Sequence, residues 1–319
     1  PHTIRSVGMA VTMQGSGIAN IDNATVDLRL CDDAFYSLMI GATDMGTGCD
    51  TIYAQMAAEI LLCPLSSISV SGVDTDFSPF DPGTYASSGT YVTGTAVVQA
   101  AQQMREKIVA VGAEKLHLPI TAVDFDGEKV FALDDEAQAI SVAQIAFETA
   151  VGTGQTLGVI STFGSATSPP PFMAGFAEIE LNEITGQVKV LDYVGVVDCG
   201  TIINTNLTRI QAEGGIAQGI GMALYEDVHY NERGKMLTNT FLQYKIPSRL
   251  DINQIRVDFS ESYEPSGPFG AKSIGEVVIN TPAPAIANAI YHACGVSMQE
   301  LPMTGEKILQ KLGKIPEAK

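Results

Sequence analysis

The 319 residues predict an α+β chain of two mixed α/β lobes, residues 1–165 and 166–319. Three observations carry this reading. Short runs with an apolar residue at every second position alternate with longer runs whose apolar residues recur every three or four. The stretch 163–171, which holds a glycine, two serines and three consecutive prolines, punctuates the chain near its middle. Beyond it, two alternating runs flank the turn Asn182-Glu183-Ile184-Thr185-Gly186, the pattern of a hairpin.

Taken in order, Val26, Leu28 and Leu30 alternate with polar neighbours and predict a strand, paired with a more buried one over 35–40. Residues 51–62 predict a helix with Tyr53, Met56, Ala57 and Ile60 on one stripe. A strand over 67–73 follows. A long helix within 91–116 carries Val97, Ala100, Met104 and Ile108 on its apolar face. A hairpin near 123–133 and a short helix near 141–150 complete the first lobe. In the second, Ala177, Ile179 and Leu181 face Val188 and Val190 across the hairpin turn. A helix over 207–225 comes next, then strands that include 243–247, then a helix starting soon after Asn280. No 20–50-residue repeat and no low-complexity tract appears.

Composition narrows the function classes. Hydrophobic residues at 45% and charged residues at 17% describe a chain that packs a core. A net charge of −18 argues against nucleic acid or anionic membrane as a partner, since both require basic surface. No apolar run approaches the roughly 18 residues of a membrane span, and the first residues have no secretory pattern. The five cysteines are scattered without a C-x-x-C pair, as expected of reduced thiols in a cytoplasmic protein and unlike an iron–sulfur run. The four histidines are equally dispersed, so a metal would need ligands other than this chain's histidines and cysteines.

Four segments look costly for a chain that only had to fold. Asp44-Met45-Gly46-Thr47-Gly48-Cys49 is a glycine turn between strand and helix, where backbone N–H groups can meet a phosphate; an ordinary strand-to-helix turn reads the same way. Tyr85-Ala86-Ser87-Ser88-Gly89 also runs into a helix and offers hydroxyls to anions or polar heterocycles, or plain N-caps. Gln211–Gly221 keeps a helical stripe despite four glycines, each costing a helix about 1 kcal/mol. Either a ligand or a neighbouring helix comes close there. Gly275-Glu276 places a carboxylate in an apolar, glycine-flanked loop, where desolvation makes a carboxylate a better base; a helix-start glutamate is the plainer reading.

In this order the segments resemble the C-terminal portion of the molybdenum-binding subunit of the xanthine dehydrogenase and aldehyde oxidase family, over nearly the whole chain. Asp198-Cys199-Gly200, Ile203-Asn204 and Pro284–Ala289 also fit. The resemblance implies the molybdenum-cofactor-binding fold of that family, with the metal held by the dithiolene of molybdopterin, in its cytosine dinucleotide form, and by no protein ligand. It implies Glu276 as general base toward a water-derived oxygen. It further implies cofactor contacts from Gly46, Thr47, Gly48, Ser87, Ser88, Gly89, Gln211 and Gly275, and a substrate bordered by Tyr85, Ala86, Val11 and Thr12.

Two departures stand out. Thr47 occupies the place of the family's usual glutamine, and Val277-Val278 follow Gly275-Glu276 where small residues or prolines are common. The family's earlier half, with its G-G-G-F-G loop and arginine-bearing substrate loop, is not in this chain. The resemblance therefore implies a large molybdopterin subunit that completes the site, plus Fe–S and FAD subunits that carry electrons away. An N-heterocyclic acid such as nicotinate is the expected substrate; a purine or an aldehyde is the nearest alternative, and a catalytically silent scaffold is the alternative from another class.

Overall fold

Two hydrophobic cores organise the computed structural model, which describes residues 2–31 and 33–316. The first core lies under a four-stranded sheet of β2 (Asn23–Leu30), β3 (Tyr36–Ile40), β4 (Ile68–Ser71) and β8 (Leu157–Gly164), in the order β4-β3-β2-β8. Val26, Leu28 and Leu30 are fully buried, as their alternation requires. β3 and β4 run parallel and are joined through helix α1 (Cys49–Leu61), whereas β2 pairs antiparallel with both of its neighbours. Helix α2 (Gly94–Leu116) is entered through a π-helical turn, Gly89–Thr93, and packs against β2, β8 and α1. A small sheet of β5 (Val123–Phe125), β6 (Lys129–Ala132) and β7 (Ala139–Ser141), with α3 (Val142–Thr153), finishes this part.

The second core is built on β1 (Thr3–Met13), β9 (Phe172–Asn182), β10 (Val188–Asp198) and β11 (Ile255–Phe259), in that order across the sheet. Helices α4 (Thr205–Leu224) and α6 (Pro282–Cys294) pack against it, with the short α5 (Val277–Asn280) and α7 (Gly305–Lys311) alongside.

The first strand corrects an expectation. Residues 1–165 were to form one lobe, yet β1 pairs along its whole length with β9, from Thr3↔Asn182 to Met13↔Phe172. Alternation identifies a strand but not its partner. Shape decides it here: a Cβ on Gly8 would lie 2.1 Å from the Ala285 carbonyl oxygen, so only glycine lets α6 approach this strand. Smaller differences follow from turn chemistry. The strand expected over 35–40 starts one residue later, after Ala34 turns the chain at φ 68. The strand expected over 243–247 is instead a turn, with Gln243 N–H and Tyr244 N–H both donating to the Thr240 carbonyl.

Candidate active site

Four segments meet between the two cores. The turn 44–48 leads from β3 into α1; the loop 83–88 leads into α2; Gln211 lies in the second turn of α4; and the loop 272–276 follows β11 and precedes α5. They enclose a cleft of about 290 Å³. Thr47, Tyr85, Ala86, Ser87, Gly89, Gln211, Gly275 and Glu276 all line it. Residues more than two hundred positions apart in sequence are thereby gathered on one cavity.

Glu276 is half-buried at the mouth of α5. Its Oε2 accepts hydrogen bonds from Ser87 Oγ at 2.8 Å and from Gln14 Nε2 at 3.2 Å. Its backbone N–H donates back to Ser87 Oγ at 3.0 Å. Gly275 eases this closeness, because a Cβ there would stand a tight 3.2 Å from Ser87 Oγ.

The glycine turn departs from the phosphate-cradle expectation. Gly46 N–H and Gly48 N–H both donate to Asp44 Oδ1, at 2.8 and 3.1 Å, so an internal carboxylate already holds the position an anion would take. Desolvation pushes the Asp44 carboxyl up, but N–H donors from Gly48, Gly46, Asp50 and Thr47 outweigh it and hold the group below its ordinary range. Gly46 contributes differently: its carbonyl accepts from Gln211 Nε2 at 3.2 Å, tying α4 to the turn. Gly48, at φ 75, packs on Leu207, whose Cδ1 lies 2.6 Å from a would-be Cβ.

Three more expectations are placed elsewhere. Ser88 is buried beneath the cleft, its N–H on the Tyr85 carbonyl and its own carbonyl on Val92 N–H. Val11 and Thr12 do not line the cleft: the pleat of β1 turns Val11 onto an open sheet face and sets Thr12 opposite Met173. Gln14, just past the end of that strand, makes the contact instead. The signal that could have found it is the run Gln14-Gly15-Ser16-Gly17 directly after an alternating segment. Ser16 is buried and bonds to Ser273 Oγ at 2.9 Å, and it accepts from Ser273 N–H at 3.1 Å, fixing the start of the Glu276 loop. Met45, Cys49, Thr84, Thr90, Ser273 and Ile274, within or beside the segments expected to carry chemistry, and Ile52 of α1 complete the lining.

Two of the four α4 glycines resolve in favour of helix packing. Cβ atoms on Gly215 and Gly219 would meet Val278 at 2.4 Å and the Ile279 carbonyl at 2.8 Å, so these two let α5 lie against α4. Gln218 is exposed and does not line the cleft. Beyond Gln211 the cleft continues along Thr47, Ser273 and Ile274 to the Asn204 cap of α4 and to Lys272. Asn204 Oδ1 accepts from Leu207 N–H at 3.1 Å. Lys272 is buried, bonded to Asp198 Oδ2 at 2.9 Å and to the Pro170 carbonyl at 3.3 Å.

Comparison with known proteins decides the family. Residues 2–253 match the family described as a molybdopterin cofactor-binding domain. The chain belongs to that family. This molybdopterin-binding chain is 39% identical over 315 residues to a probable hypoxanthine oxidase of Escherichia coli K12, covering 97% of itself and 32% of the relative. It is 33% identical over 316 residues to the xanthine dehydrogenase molybdenum-binding subunit of Escherichia coli O157:H7, covering 96% and 42%. It superposes on quinoline 2-oxidoreductase of Pseudomonas putida 86 with a TM-score of 0.87 at 25% identity, covering 99% of itself and 42% of that chain. It thus spans between a third and about two fifths of these relatives' lengths.

The donor set of the cleft fits a pterin. Hydroxyls of Thr47 and Thr90, the Gln211 amide and the glycine-opened backbone at Gly89 and Gly275 offer both donors and acceptors to a polar heterocycle. Among the described residues, one group of potential metal ligands is close enough to share an ion, Asp44, Cys49 and Asp50. Burial pushes the Cys49 thiol up to about 12.

Proposed function

We propose that this chain forms part of the active site of a molybdenum-dependent hydroxylase, with Glu276 as the general base toward a water-derived oxygen. The carrying observation is that Glu276, the aromatic Tyr85 and the donor-rich residues Thr47 and Gln211 face one cleft. Molybdopterin, when bound, supplies the two-electron oxidation. Thr47, Ser87, Gly89, Gln211 and Gly275 hold that cofactor, in its cytosine dinucleotide form, and Gly46, Gly48 and Ser88 shape the turns that present them. Ala86 and Tyr85 border the substrate.

Glu276 is suited to its role because one carboxylate oxygen is tied down while the other, Oε1, is left to take a proton. An N-heteroaromatic ring is the substrate class, stacked or edged against Tyr85, with conversion of nicotinate to 6-hydroxynicotinate as the leading case. The 39% likeness to a probable hypoxanthine oxidase favours a purine as the second reading.

The rest of the machine lies outside these 319 residues: a large molybdopterin portion closing the cleft, and Fe–S and FAD subunits receiving the electrons. Two features support the first of these. No lysine or arginine lines the main cleft among the described residues, and Lys272 in its continuation is already bonded to Asp198, so cationic contacts to dinucleotide phosphates fall to the remaining portion. And Val7, Met9, Val11, Met13, Phe172 and Phe176 share one exposed sheet face that calls for a partner. Among the described residues no helix is long and apolar enough to cross a membrane.

The test is Glu276→Gln in the natively assembled complex. Molybdenum near one per chain in both proteins, with hydroxylation of nicotinate and of hypoxanthine falling roughly a hundredfold to ten-thousandfold in the variant, is the expected result. Undiminished hydroxylation removes Glu276 as base; absence of molybdenum from the mature complex leaves the scaffold reading.

A further inference from the structure

Ala86 and Ser87 are consecutive non-glycine residues in the left-handed region, at φ 51 and φ 56. Such a conformation is unfavourable for any residue with a Cβ, and elsewhere this chain mostly uses glycine for it, as at Gly46 and Gly48. Something holds the strained pair in place, and something requires a side chain there.

The hold comes from residues 14–17. Gly17 N–H donates to the Ala86 carbonyl at 2.9 Å, while Ser16 secures Ser273 on the facing loop. One short turn after β1 therefore pins both loops that meet at Glu276. The requirement is the Ser87 hydroxyl. A serine has a single O–H proton, and this one goes to Glu276 Oε2 at 2.8 Å; the same oxygen accepts from Glu276 N–H at 3.0 Å. No proton of that hydroxyl remains to donate to a cofactor. Gln14 Nε2 adds a second donor to Oε2 at 3.2 Å.

We propose that Ser87 and Gln14 are positioning residues for Glu276: together they clamp Oε2, fix the carboxylate plane and leave Oε1 as the reacting oxygen. The strain at Ala86–Ser87 is what places the Ser87 hydroxyl within reach of both the carboxylate and the N–H of the same residue. This inference rests on the reading of Glu276 as base and reassigns the Ser87 side chain from cofactor holding to base alignment.

Ser87→Gly separates the alternatives, because glycine relieves the left-handed backbone and removes the hydroxyl in one change. It is measured beside Gln14→Met and Glu276→Gln in the assembled, molybdenum-loaded complex, for kcat, KM, molybdenum content and thermal midpoint. In Ser87→Gly we expect a midpoint at or above that of the parent, unchanged molybdenum and KM, and kcat lower by about tenfold to a hundredfold. In Gln14→Met the expected loss in kcat is roughly threefold to tenfold, again without a change in KM. Parental kcat in both variants, with Glu276→Gln inactive, overturns the positioning role and leaves the base intact. Loss of molybdenum together with activity in Ser87→Gly makes Ser87 a cofactor ligand and also overturns it. Full activity in Glu276→Gln sinks the base reading itself, whatever Ser87 does.

Discussion

Two turns border the cleft, and they solve the same backbone problem in opposite ways. The turn 44–48 reaches the left-handed region with glycines, Gly46 at φ 93 and Gly48 at φ 75, and satisfies its N–H groups with its own Asp44. The turn 85–88 reaches the same region with Ala86 and Ser87. At 44–48, where the chain needs only a path, it uses the residue for which the path is easy. Where it needs a hydroxyl at a defined point, it accepts an unfavourable backbone, held by Gly17. Of these two turns, the non-glycine one carries the hydroxyl that reaches Glu276, and the glycine one sets geometry.

Four measurements break or sharpen this contrast. The largest effect is expected for Gly48→Val, which puts a β-branched residue at φ 75 with its Cβ against Leu207; we expect a loss of about 3 kcal/mol or more in denaturant unfolding. A change under about 1 kcal/mol would show that the turn is not rigid.

Lys272→Met probes the loop that carries Glu276 and comes second. Desolvation pushes the Asp198 carboxyl up, yet the Ser262 hydroxyl, Lys272 and Gly200 N–H outweigh it and hold it below its ordinary value. A carboxyl depressed in the folded state contributes stability above its unfolded value, and that contribution fades as pH falls through the folded one. The variant should therefore be less stable by about 1–3 kcal/mol at neutral pH, with the deficit narrowing in acid. A deficit independent of pH would assign it to lost packing over the Phe172 ring instead, 5.7 Å from Lys272 Nζ.

Ala86→Gly is expected to act in the opposite sense to Gly48→Val, stabilising the chain by up to about 1 kcal/mol, less whatever the added freedom of the unfolded chain takes back. Destabilisation by more than about 1 kcal/mol, beyond what the unfolded chain's added freedom accounts for, would mean that the left-handed pair carries no strain. The smallest effect concerns Cys49, at the first residue of α1: with its thiol pushed up to about 12 mainly by burial, it should be alkylated at pH 8 far more slowly than a model thiol. Rapid labelling would show that the turn opens.

Much of the fold was legible because its signals are local. The stripe of Val97, Ala100, Met104 and Ile108 is wholly buried in α2, and the hairpin around Asn182–Gly186 has the expected strands. The segments expected to carry chemistry were also legible as segments: glycine turns, a hydroxyl-rich helix entrance and a lone glutamate in an apolar loop all reached one cleft. Individual roles were less so. Gly215 and Gly219 could have served a ligand or a neighbouring helix and prove to be helix contacts, since a glycine in a stripe does not say what comes near it. Val11 and Thr12 lay on the right strand, but the contact falls to Gln14 beyond its end.

The sequence by itself determined the kinds of element, the absence of a histidine or cysteine ligand pattern, and the family, because periodicity, spacing and ordered motifs are properties of the chain read along its length. Tertiary structure alone decided that β1 belongs to the sheet of the second core, that Asp44 fills the glycine turn, and that Gln14 and Ser87 meet on one oxygen of Glu276. These are matters of which surfaces fit and which donors find acceptors across 189 and 262 residues of sequence, and such pairings are settled by packing in space.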